Sequence, residues 1–414
     1  MKWSDLARRL MAYGARAGIP PSGSAAGANP EIHRACFDSR EVQSGDLFCA
    51  LPGTRLQGSA FVEQALTRGA AGLLMAAPAG PQLVPTLEMD SQSQLLRAAG
   101  EAAHWLAGEP SGALWCAAVT GTNGKTTTVH LLAQVLDACG LPCARAGTLG
   151  FAFGATAQPT RETTVAADRL HAWLAQAARA GARACAFEAS SHGIVQQRLA
   201  GVRLSAAAWT NLTHDHLDFH GTLEAYAAAK ARLFVELPQE AVGFIPVAYG
   251  PARVLVAGSS ARILSWGLST EAATNGDLRA RASCSASGVE LNVDGALGVA
   301  RVRSTLAGLH NAENLLLAWA LARAAGVACE AAAEALGRAH AAPGRLERVA
   351  QEAPWNLFVD YAHTPDAIAR VLSSLRASFP QRRIGVVFGA GGDRDPRKRA
   401  AMGRAAAEGA DWCL

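Results

Sequence analysis

Residues Thr120–Thr127 read TGTNGKTT and combine the residue types that bind a nucleotide phosphate. They follow an apolar stretch, Ala113–Val119, that predicts a buried strand, and they lead into a helix predicted over Thr126–Cys139. In a glycine-rich turn between a strand and a helix, backbone N–H groups can surround phosphate oxygens. The segment therefore predicts a phosphate-binding loop; a glycine-rich turn with an exposed lysine is the less favoured alternative.

Single residues of this loop have separate predicted roles. Gly121 and Gly124 let the backbone turn toward phosphate oxygens. Lys125 can reach the β- and γ-phosphates, and the Thr126 hydroxyl can bind Mg²⁺. The strict pattern G-x-x-x-x-G-K-[ST] is not met, since its first glycine would fall at Val119. The prediction therefore rests on the strand–loop–helix context together with the G-K-T run.

A carboxylate that can bind the same metal follows a later strand. Glu188 ends the run ARACAFE, in which we predict a strand over Ala182–Phe187, and it begins the sequence EASSHG. A solvated residue at a strand end is the alternative. Because the chain also carries a phosphate loop, we predict that Glu188 binds Mg²⁺.

A histidine-rich loop, Asn211–Gly221 (NLTHDHLDFHG), follows another apolar stretch. A zinc site is disfavoured, because the loop lacks thiolates and a helical i, i+4 histidine pair. A polar loop that caps the next helix is the interpretation we favour for His214 and His220. His216 or Asp215 can instead join a magnesium site at the carboxyl ends of the strands.

The elements that must position these residues alternate along the chain. Strands and helices follow one another from residue 113, which predicts a parallel sheet covered by helices on both faces and hence an α/β fold. Residues 252–302 do not follow this alternation, and their short strands with Gly and Ser turns predict an antiparallel edge or insertion. The strands of this region are predicted at Val254–Val256, Glu290–Val293 and Ala300–Val302. Further helices are predicted over Leu170–Ala180, Leu223–Val235, Asn314–Ala325, Ala331–Ala339 and Pro365–Ser378.

The composition excludes several classes of protein. With 50% hydrophobic and 17% charged residues, the 414-residue chain is expected to fold rather than to be disordered, and its length suggests two or three domains. A net charge of +4 does not indicate nucleic-acid binding. We expect no signal peptide and no membrane span, because the longest uncharged run, Gly69–Leu87, is interrupted by glycines and prolines. Nine scattered cysteines without a C-x-x-C pair predict reduced thiols in a cytoplasmic protein.

The motifs together resemble the Mur ligases of peptidoglycan synthesis. The resemblance rests on TGTNGKTT, EASSHG, NLTHDHLDFHG, GLHNAENLLLA, PGRLE, DYAHTPD and GAGGDRDPRKR in this order, preceded by DSR and GDLFCALPG near the N-terminus. It covers nearly the whole chain, and the combination is specific although each motif alone is not. It implies three domains: residues 1–108 bind the UDP-sugar, residues 109–341 form a central P-loop ATPase around a parallel sheet, and residues 342–414 begin a Rossmann-like domain for the incoming amino acid.

The resemblance also implies roles for particular residues. Lys230 lies in an alanine-rich helix, where the residues alone predict only a surface charge. The resemblance makes it a carbamylated lysine that is catalytic together with Lys125, His216 and Glu188. The implied metal ligands are Thr126, Glu188, His216 and Lys230. The implied ATP-binding residues are Gly121, Thr122, Asn123, Gly124, Lys125, Thr126, Thr127, His310, Asn311, Asn314, Arg345 and Asp360.

The resemblance implies that Phe37, Ser39, Thr54 and Arg55 meet the uridine nucleotide of the UDP-sugar and that Thr163 and Thr164 meet its sugar-peptide part. Ser190, Gln196 and Arg198 are implied to bind the UDP-sugar as well, and Arg394 is implied to approach the amino acid. The family segment that corresponds to RETT often reads NTT, so Glu162 departs from it. The implied enzyme is a monomeric, Mg²⁺-dependent, ADP-forming ligase. It adds meso-diaminopimelate to UDP-MurNAc-L-Ala-D-Glu through an acyl phosphate.

Alternatives remain at this point. The lysine-adding form, another Mur ligase and folylpolyglutamate synthase belong to the same superfamily, whereas a P-loop kinase or a nucleotide-gated regulator belongs to another class. The family's selectivity segment, a DNPR-like motif, lies downstream of GGDRD and does not occur in this sequence.

The last residues, ADWCL, resemble the start of a buried strand, so we expect the third domain to be incomplete. A protein that ends at Leu414 is then expected to have little ligase activity.

Overall fold

The computed structural model describes residues 1–18, 29–53, 56–80, 82–270, 275–349, 355–390 and 398–414. Its helices are α1 (Trp3–Met11), α2 (Val62–Thr67), α3 (Gln92–Leu106), α4 (Lys125–Ala138), α5 (Ala167–Arg179), α6 (Ser191–Val195), α7 (Leu217–His220), α8 (Leu223–Val235), α9 (Ala252–Leu255), α10 (His310–Ala324), α11 (Cys329–Arg338), α12 (Pro365–Ser378) and α13 (Lys398–Gly409).

Short strands alternate with these helices, as expected of an α/β chain. They are β1 (Arg16–Ala17), β2 (Ala35–Cys36), β3 (Leu47–Cys49), β4 (Gly72–Ala76), β5 (Thr86–Met89), β6 (Trp115–Thr120), β7 (Cys143–Gly147), β8 (Gly150–Phe153), β9 (Thr156–Gln158), β10 (Ala184–Glu188), β11 (Ala206–Trp209), β12 (Val242–Pro246), β13 (Arg262–Ser269), β14 (Leu278–Ser285), β15 (Gly288–Gly295), β16 (Ala300–Ser304), β17 (Glu347–Arg348), β18 (Phe358–Val359), β19 (Gly385–Val386) and β20 (Trp412–Cys413).

The chain divides into two compact units, and the first comprises residues 1–116 and 146–205. Its five-stranded sheet has the order β1-β5-β4-β3-β2, with β2 to β5 parallel and β1 antiparallel to β5. One face of this sheet packs on α1 and α3 around Leu6, Leu47 and Leu95. Strand β10 (ACAFE) is buried along its whole length, and the apolar run of its first four residues is typical of a strand covered on both faces.

The second unit comprises residues 117–145 and 206–414. Its strands are neighbours in the order β16-β15-β14-β13-β12-β11-β6. The pairs from β6 to β14 are parallel, whereas β14, β15 and β16 form an antiparallel meander. The predicted parallel sheet with an antiparallel edge is therefore confirmed. Helix α10 is buried on nearly all sides, because its residues Asn314–Ala322 are almost entirely apolar and inaccessible to solvent.

The C-terminal part of the second unit is a smaller α/β arrangement. Helices α12 and α13 pack around Ile368, Leu372, Met402 and Ala406, next to the parallel pair β19–β20. Helix α12 begins at Pro365 after the N-cap Thr364, whose side chain accepts a hydrogen bond from Ala367 N. Its observed bounds match the predicted ones, since this cap and the proline specify the first turn.

One predicted strand is wrong. Residues Val254–Val256 were expected to be extended, but they lie in and just after helix α9. Pro251 precedes this helix in a helical conformation, and the Ala252 N–H donates to Tyr249 O, which starts the turn. Three apolar residues are too few for periodicity to distinguish a strand from a helical turn. The proline that favours a helix start was the better signal.

The helix that carries Lys230 has a polar N-cap that can be tested. The Thr222 side chain accepts a hydrogen bond from Ala225 N at 3.1 Å and begins α8. Loss of such a cap costs about 1 kcal/mol. We expect Thr222→Ala to lower the free energy of unfolding by about that amount in urea titration, while Thr222→Ser, which keeps the hydroxyl, stays near wild type. Equal stability of the alanine variant and wild type would contradict this role.

Candidate active site

The phosphate loop connects β6 to α4, and two glycines allow its shape. Gly121 has φ of 141°, and a Cβ there would lie 1.9 Å from Thr210 Oγ1. Gly124 has φ of 86°, and its Cβ would lie 2.4 Å from Asn314 Oδ1. Both positions combine a backbone conformation that other residues rarely adopt with a close approach of a side chain. The structure therefore requires glycine at both predicted positions.

The end of strand β11 braces this loop. The N–H groups of Thr122 and Asn123 donate to the backbone and side-chain oxygens of Asn211, each at 3.0 Å. The Thr210 hydroxyl donates to Asn123 O. Asn211 also hydrogen-bonds with Glu313, whose pKa is raised by burial. None of these bracing residues had a predicted role, although Asn211 opens one of the motifs.

Lys125 folds back over the loop. Its Nζ donates to Gly121 O and to Thr122 O, both at 2.8 Å. Thr126 and Thr127, in the first turn of α4, are each 6% exposed. The Lys125 amine and the N-terminus of helix α4 therefore lie at the same turn of the backbone. This arrangement attracts phosphate oxygens.

Lys230 is buried, contrary to what an alanine-rich helix suggests. Its side chain is 1% exposed, and its Nζ lies 4.2 Å from the centroid of the Tyr226 ring. Burial, assisted by the charge of Lys125, lowers the pKa of Lys230 well below its usual range, and Asp215 opposes this shift. Burial also raises the pKa of Tyr226 to about 12. The Lys230 amine therefore loses its proton far more readily than an exposed lysine does.

Tyr226 was missed by the sequence analysis, but a signal was present. It precedes Lys230 by four residues on a predicted helix, and residues four apart share a helix face. The Tyr226 ring also lies 6.1 Å from the His216 ring, and its hydroxyl donates to Thr122 Oγ1 at 3.3 Å. Tyr226 thus connects Lys230, His216 and the phosphate loop.

His216 occupies an unusual backbone conformation at the start of α7. Its φ is 53°, and its Nε2 lies 3.6 Å from Asp215 Oδ2. His214 is exposed, and the cap of α8 is Thr222, so the expected capping by His214 and His220 is not observed. The His220 ring instead lies 5.0 Å from Tyr226.

The start of α10 also contacts the phosphate loop and the helix that follows it. Asn314 Nδ2 donates to Asn311 Oδ1 at 3.0 Å, and Asn314 Oδ1 accepts from Thr128 Oγ1 at 3.2 Å. Asn311 Nδ2 donates to Ala307 O at 2.8 Å. Both asparagines are buried and hydrogen-bonded within the protein. Asn311 therefore holds Asn314 in place, and Asn314 in turn contacts the first turns of α4.

Three predicted ATP residues lie further along the second unit. His310 Nδ1 is 3.1 Å from Ser374 Oγ, and burial lowers the pKa of His310. The two Asp360 oxygens accept from Leu346 N and Ala362 N, at 2.7 and 2.8 Å. The Arg345 guanidinium lies 4.8 Å from the Tyr361 ring centroid. Asp360 thus organises the backbone around residues 346–362.

A second group of predicted residues surrounds Thr164 in the first unit. The Thr164 hydroxyl donates to Glu188 O at 2.8 Å and accepts from Ser190 N at 2.9 Å. The Glu188 carboxylate is 2% exposed and accepts from Thr148 N and Thr148 Oγ1, at 2.7 and 3.2 Å. Thr148 Oγ1 is also 3.2 Å from Thr163 Oγ1. Thr148 was not predicted, although it orients the predicted metal ligand.

Arg198 and Gln196 belong to the same group. The Arg198 guanidinium donates to Gln196 Oε1 at 2.9 Å and to Thr164 O. Its Nη1 also lies 3.0 Å from Glu162 Oε2. The residue that departs from the family pattern therefore forms an ion pair with a predicted substrate-binding arginine.

The predicted uridine residues form a separate segment. Ser39 Oγ donates to Gln64 Oε1 at 2.6 Å, and Phe37 N donates to Asp168 Oδ2 at 3.0 Å. Thr54, Arg55 and Arg394 lie outside the described residues.

Comparison with known proteins decides the family. Three family models match consecutive parts of the chain: "Mur ligase family, catalytic domain" at residues 31–103, "Mur ligase middle domain" at 119–322 and "Mur ligase, glutamate ligase domain" at 344–413. A UDP-N-acetylmuramoyl-L-alanyl-D-glutamate–2,6-diaminopimelate ligase of Xanthomonas campestris pv. campestris is 40% identical over 382 residues, which are 91% of this chain and 76% of that protein. The chain belongs to the Mur ligase family.

Two further relatives agree with this assignment. A ligase of the same name from Parasynechococcus marenigrum is 38% identical over 402 residues, 93% of this chain and 78% of its own. A solved structure of a ligase of that name superposes with a TM-score of 0.75 at 33% identity, covering 92% of this Mur ligase and 77% of the other chain. The expected α/β Mur ligase architecture is thereby confirmed. The domain boundaries at residues 108 and 341 stay a prediction.

Two findings bear on the predicted metal and membrane properties of this Mur ligase. No group of three or more His, Cys, Asp or Glu side chains that could hold a metal ion occurs in the described part of the chain. Likewise, none of the described helices is long and apolar enough to cross a membrane.

Proposed function

We propose that this Mur ligase joins 2,6-diaminopimelate to UDP-MurNAc-L-Ala-D-Glu in an ADP-forming reaction of peptidoglycan precursor synthesis. The observation that carries the proposal is the buried Lys230 amine next to the phosphate loop, in a chain that is 40% identical to ligases of this name. A P-loop kinase or a nucleotide-gated regulator needs the lysine of its phosphate loop but has no need of a second, buried lysine beside it. The family assignment also disfavours those two classes.

The reaction proceeds in two steps. An oxygen of the glutamyl γ-carboxylate attacks the γ-phosphorus of ATP, the bond to the β–γ bridging oxygen breaks, and ADP leaves. The amine of diaminopimelate then attacks the acyl carbon of the acyl phosphate, inorganic phosphate leaves, and the nitrogen loses a proton. A free carboxylate cannot be attacked in this way, because its leaving group would be oxide. Phosphorylation supplies the leaving group, which explains why ATP is consumed.

The protein contributes position and positive charge to the first step. Lys125 Nζ, now held by Gly121 O and Thr122 O, is proposed to move onto the β- and γ-phosphates when ATP binds. The N-terminus of α4 adds backbone N–H groups and the positive end of its dipole. Phosphoryl transfer needs this kind of charge neutralisation and in-line positioning rather than covalent help.

Magnesium fits the donor groups. As the resemblance implies, we propose Thr126 and Glu188 as protein ligands of one Mg²⁺ ion and His216 and carbamylated Lys230 as ligands of a second. Hydroxyl and carboxylate oxygens suit Mg²⁺, which in nucleotide sites keeps several waters and phosphate oxygens and needs few protein ligands. This explains how a magnesium-dependent site is compatible with the lack of a metal-binding cluster among the described residues. When bound, the two ions would neutralise charge on the phosphates and the attacking carboxylate.

Lys230 is suited to carbamylation. A neutral amine reacts with CO₂ to give a carbamate anion and releases one proton, and the lowered pKa of Lys230 increases the neutral fraction. The product is an anionic carboxylate, and the positive charge of Lys125, which disfavours a second cation at this place, favours that anion. We propose that attraction to Lys125 and to the magnesium ions that accompany ATP offsets the cost of burying the carbamate.

The network around Thr164 is proposed to hold the sugar-peptide part of the substrate. Thr163, Thr164, Ser190, Gln196 and Arg198 supply hydroxyl, amide and guanidinium groups to one polar cluster. A guanidinium suits the phosphate or carboxylate groups of such a substrate. Glu162 competes for Arg198, because its carboxylate lies 3.0 Å from Arg198 Nη1.

The competition by Glu162 can be tested. We expect Glu162→Gln to lower KM for UDP-MurNAc-L-Ala-D-Glu by about two- to fivefold, since a partly exposed ion pair is worth at most about 1 kcal/mol. KM for ATP should not change. A matched control is Glu334→Gln, which removes a carboxylate from an exposed ion pair with Arg338. A raised KM for the nucleotide-sugar in Glu162→Gln would show that Glu162 assists binding instead.

Phosphate release tests the proposed reaction and its amino acid. We expect release from ATP to require UDP-MurNAc-L-Ala-D-Glu and to be stimulated more by diaminopimelate than by L-lysine. A larger stimulation by lysine would favour the lysine-adding form. Release with a folate substrate would favour folylpolyglutamate synthase, and release that needs no second substrate would contradict a ligase.

We also propose a cytoplasmic, monomeric protein. Nine scattered cysteines with no C-x-x-C pair suit a reducing compartment. Gel filtration with light scattering, which measures the molar mass in solution, tests whether the protein is monomeric.

A further inference from the structure

The segment that carries the proposed uridine residues is attached to the first turn of α5. Phe37 N donates to Asp168 Oδ2 at 3.0 Å, and Glu41 Oε1 accepts from Arg169 Nη2 at 2.5 Å. Asp168 and Arg169 are consecutive residues near the start of α5, after Ala167. Two neighbouring side chains of one helix turn therefore hold both ends of the short segment Phe37–Glu41.

The same helix turn follows the proposed sugar-peptide residues directly. Thr163 and Thr164 lie three and two residues before Ala166, the N-cap of α5. Thr164 is fixed by its hydrogen bonds to Glu188 O and Ser190 N. The first turn of α5 thus joins the uridine segment to the residues proposed to hold the other end of the nucleotide-sugar.

Asp168 is a carboxylate held by backbone N–H groups. Oδ2 accepts from Phe37 N, and Oδ1 accepts from Arg169 N at 2.9 Å. Burial raises the pKa of Asp168 to about 6, and Glu41 adds to this, whereas the two backbone hydrogen bonds and the Arg169 charge oppose it. Arg34 and the thiols of Cys36 and Cys49 also face it. Asp168 is half-buried, and each of its carboxylate oxygens accepts one backbone N–H, so the side chain is suited to orient Phe37.

We propose that Asp168 is a positioning residue for the uridine end of the nucleotide-sugar. By fixing Phe37 N relative to the start of α5, it sets the distance between the uridine segment and the Thr163–Thr164 segment. This inference rests on the proposed function, since it takes UDP-MurNAc-L-Ala-D-Glu as the ligand. Asp168 touches no reacting atom and acts through the backbone of Phe37.

The test is Asp168→Asn, which keeps the shape of the side chain. An amide has one acceptor oxygen, so it cannot accept both backbone N–H groups as the carboxylate does. We expect KM for the nucleotide-sugar and the Kd for UDP, measured by calorimetry, each to rise about tenfold, the usual scale for a lost charged hydrogen bond. The kcat value and KM for ATP should stay within about twofold, because the reacting groups are untouched.

The pH profile separates positioning from general loosening. As pH falls through about 6, Asp168 takes up a proton and loses its charge, so the affinity of wild type for UDP should fall in that range. Uptake of a proton by UDP itself affects both proteins equally. Asp168→Asn should therefore differ from wild type by tenfold at pH 8 and by much less at pH 5.

Matched variants keep the inference falsifiable. Asp294→Asn removes a carboxylate from an exposed ion pair with Arg279 and should leave the Kd for UDP unchanged. If Asp168→Asn does not fold, Arg169→Ala loosens the same segment by releasing Glu41 and should raise the Kd for UDP about twofold. A Kd for UDP at the wild-type value in Asp168→Asn, or equal loss of ATP and UDP binding, overturns the inference. Wild type that does not bind UDP overturns the proposed function as well.

Discussion

A Lys125→Ala variant is expected to lose nearly all ATP turnover, by about 100- to 1000-fold in kcat, the range found when one group that stabilises transition-state charge is removed. Lys125 is the cation of the phosphate loop, and its Nζ already lies against the loop carbonyls of Gly121 and Thr122. In the reaction, negative charge moves from the γ-phosphoryl group to the leaving ADP. Without Lys125, the loop keeps its backbone N–H donors but loses the positive charge that stabilises the negative charge developing on ADP.

The measurement is ADP formation in the presence of UDP-MurNAc-L-Ala-D-Glu. Lys2→Ala is the matched control, since it removes an exposed lysine that lies just before helix α1 and should be active. Circular dichroism and thermal unfolding establish that the Lys125 variant is folded. A folded Lys125→Ala protein with more than a tenth of the wild-type turnover would contradict the assignment of the loop.

Substitution of Lys230 is expected to separate activity from stability. Lys230→Met replaces a buried amine by an apolar side chain of similar length, so the free energy of unfolding should be equal to or greater than that of wild type at neutral pH. Turnover should nevertheless fall by about 100-fold or more, because the carbamate cannot form. Urea titration and ADP formation measure the two properties on the same samples. A Lys230→Met protein that is both stable and active would show that the amine is only structural.

Chemical rescue tests the carbamate itself. Lys230→Ala leaves space where the side chain was, so formate or acetate should restore part of the activity, whereas Lys230→Met fills that space and should not respond. Incubation of wild type with ¹³C-labelled bicarbonate should give a carbamate signal in ¹³C NMR that is absent from both variants. Absence of both rescue and signal would remove Lys230 from the catalytic group and leave the phosphate-loop assignment standing.

The elements of the fold were largely predictable because local signals agreed with one another. Helices α4, α8 and α12 begin where a glycine, a threonine or a proline specifies the first turn, and β11 and the first four residues of β10 are apolar runs. Strands such as β13 and β14 were not predicted, since polar residues interrupt them. The helix in place of the predicted Val254–Val256 strand shows how little information three apolar residues carry.

The site was predictable in its motifs but not in its supporting contacts. Glycine spacing revealed the phosphate loop, because the backbone conformation there requires glycine. The burial of Lys230 was invisible, since it depends on how α8 packs. Asn211 and Thr148 were missed for the same reason. Each acts on a residue distant in sequence, Asn211 on Asn123 and Thr148 on Glu188, and only the folded chain brings such pairs together.

The acyl phosphate is the central claim, and an isotope measurement tests it most directly. UDP-MurNAc-L-Ala-D-Glu labelled with ¹⁸O in its γ-carboxylate is incubated with the protein, ATP, Mg²⁺ and hydroxylamine, which replaces the amino acid as the nucleophile. We predict a hydroxamate at the glutamyl γ-carbon and inorganic phosphate that contains one ¹⁸O atom, because the carboxylate oxygen that attacks phosphorus leaves with it. Phosphate that carries no ¹⁸O, released without hydroxamate, would contradict the account.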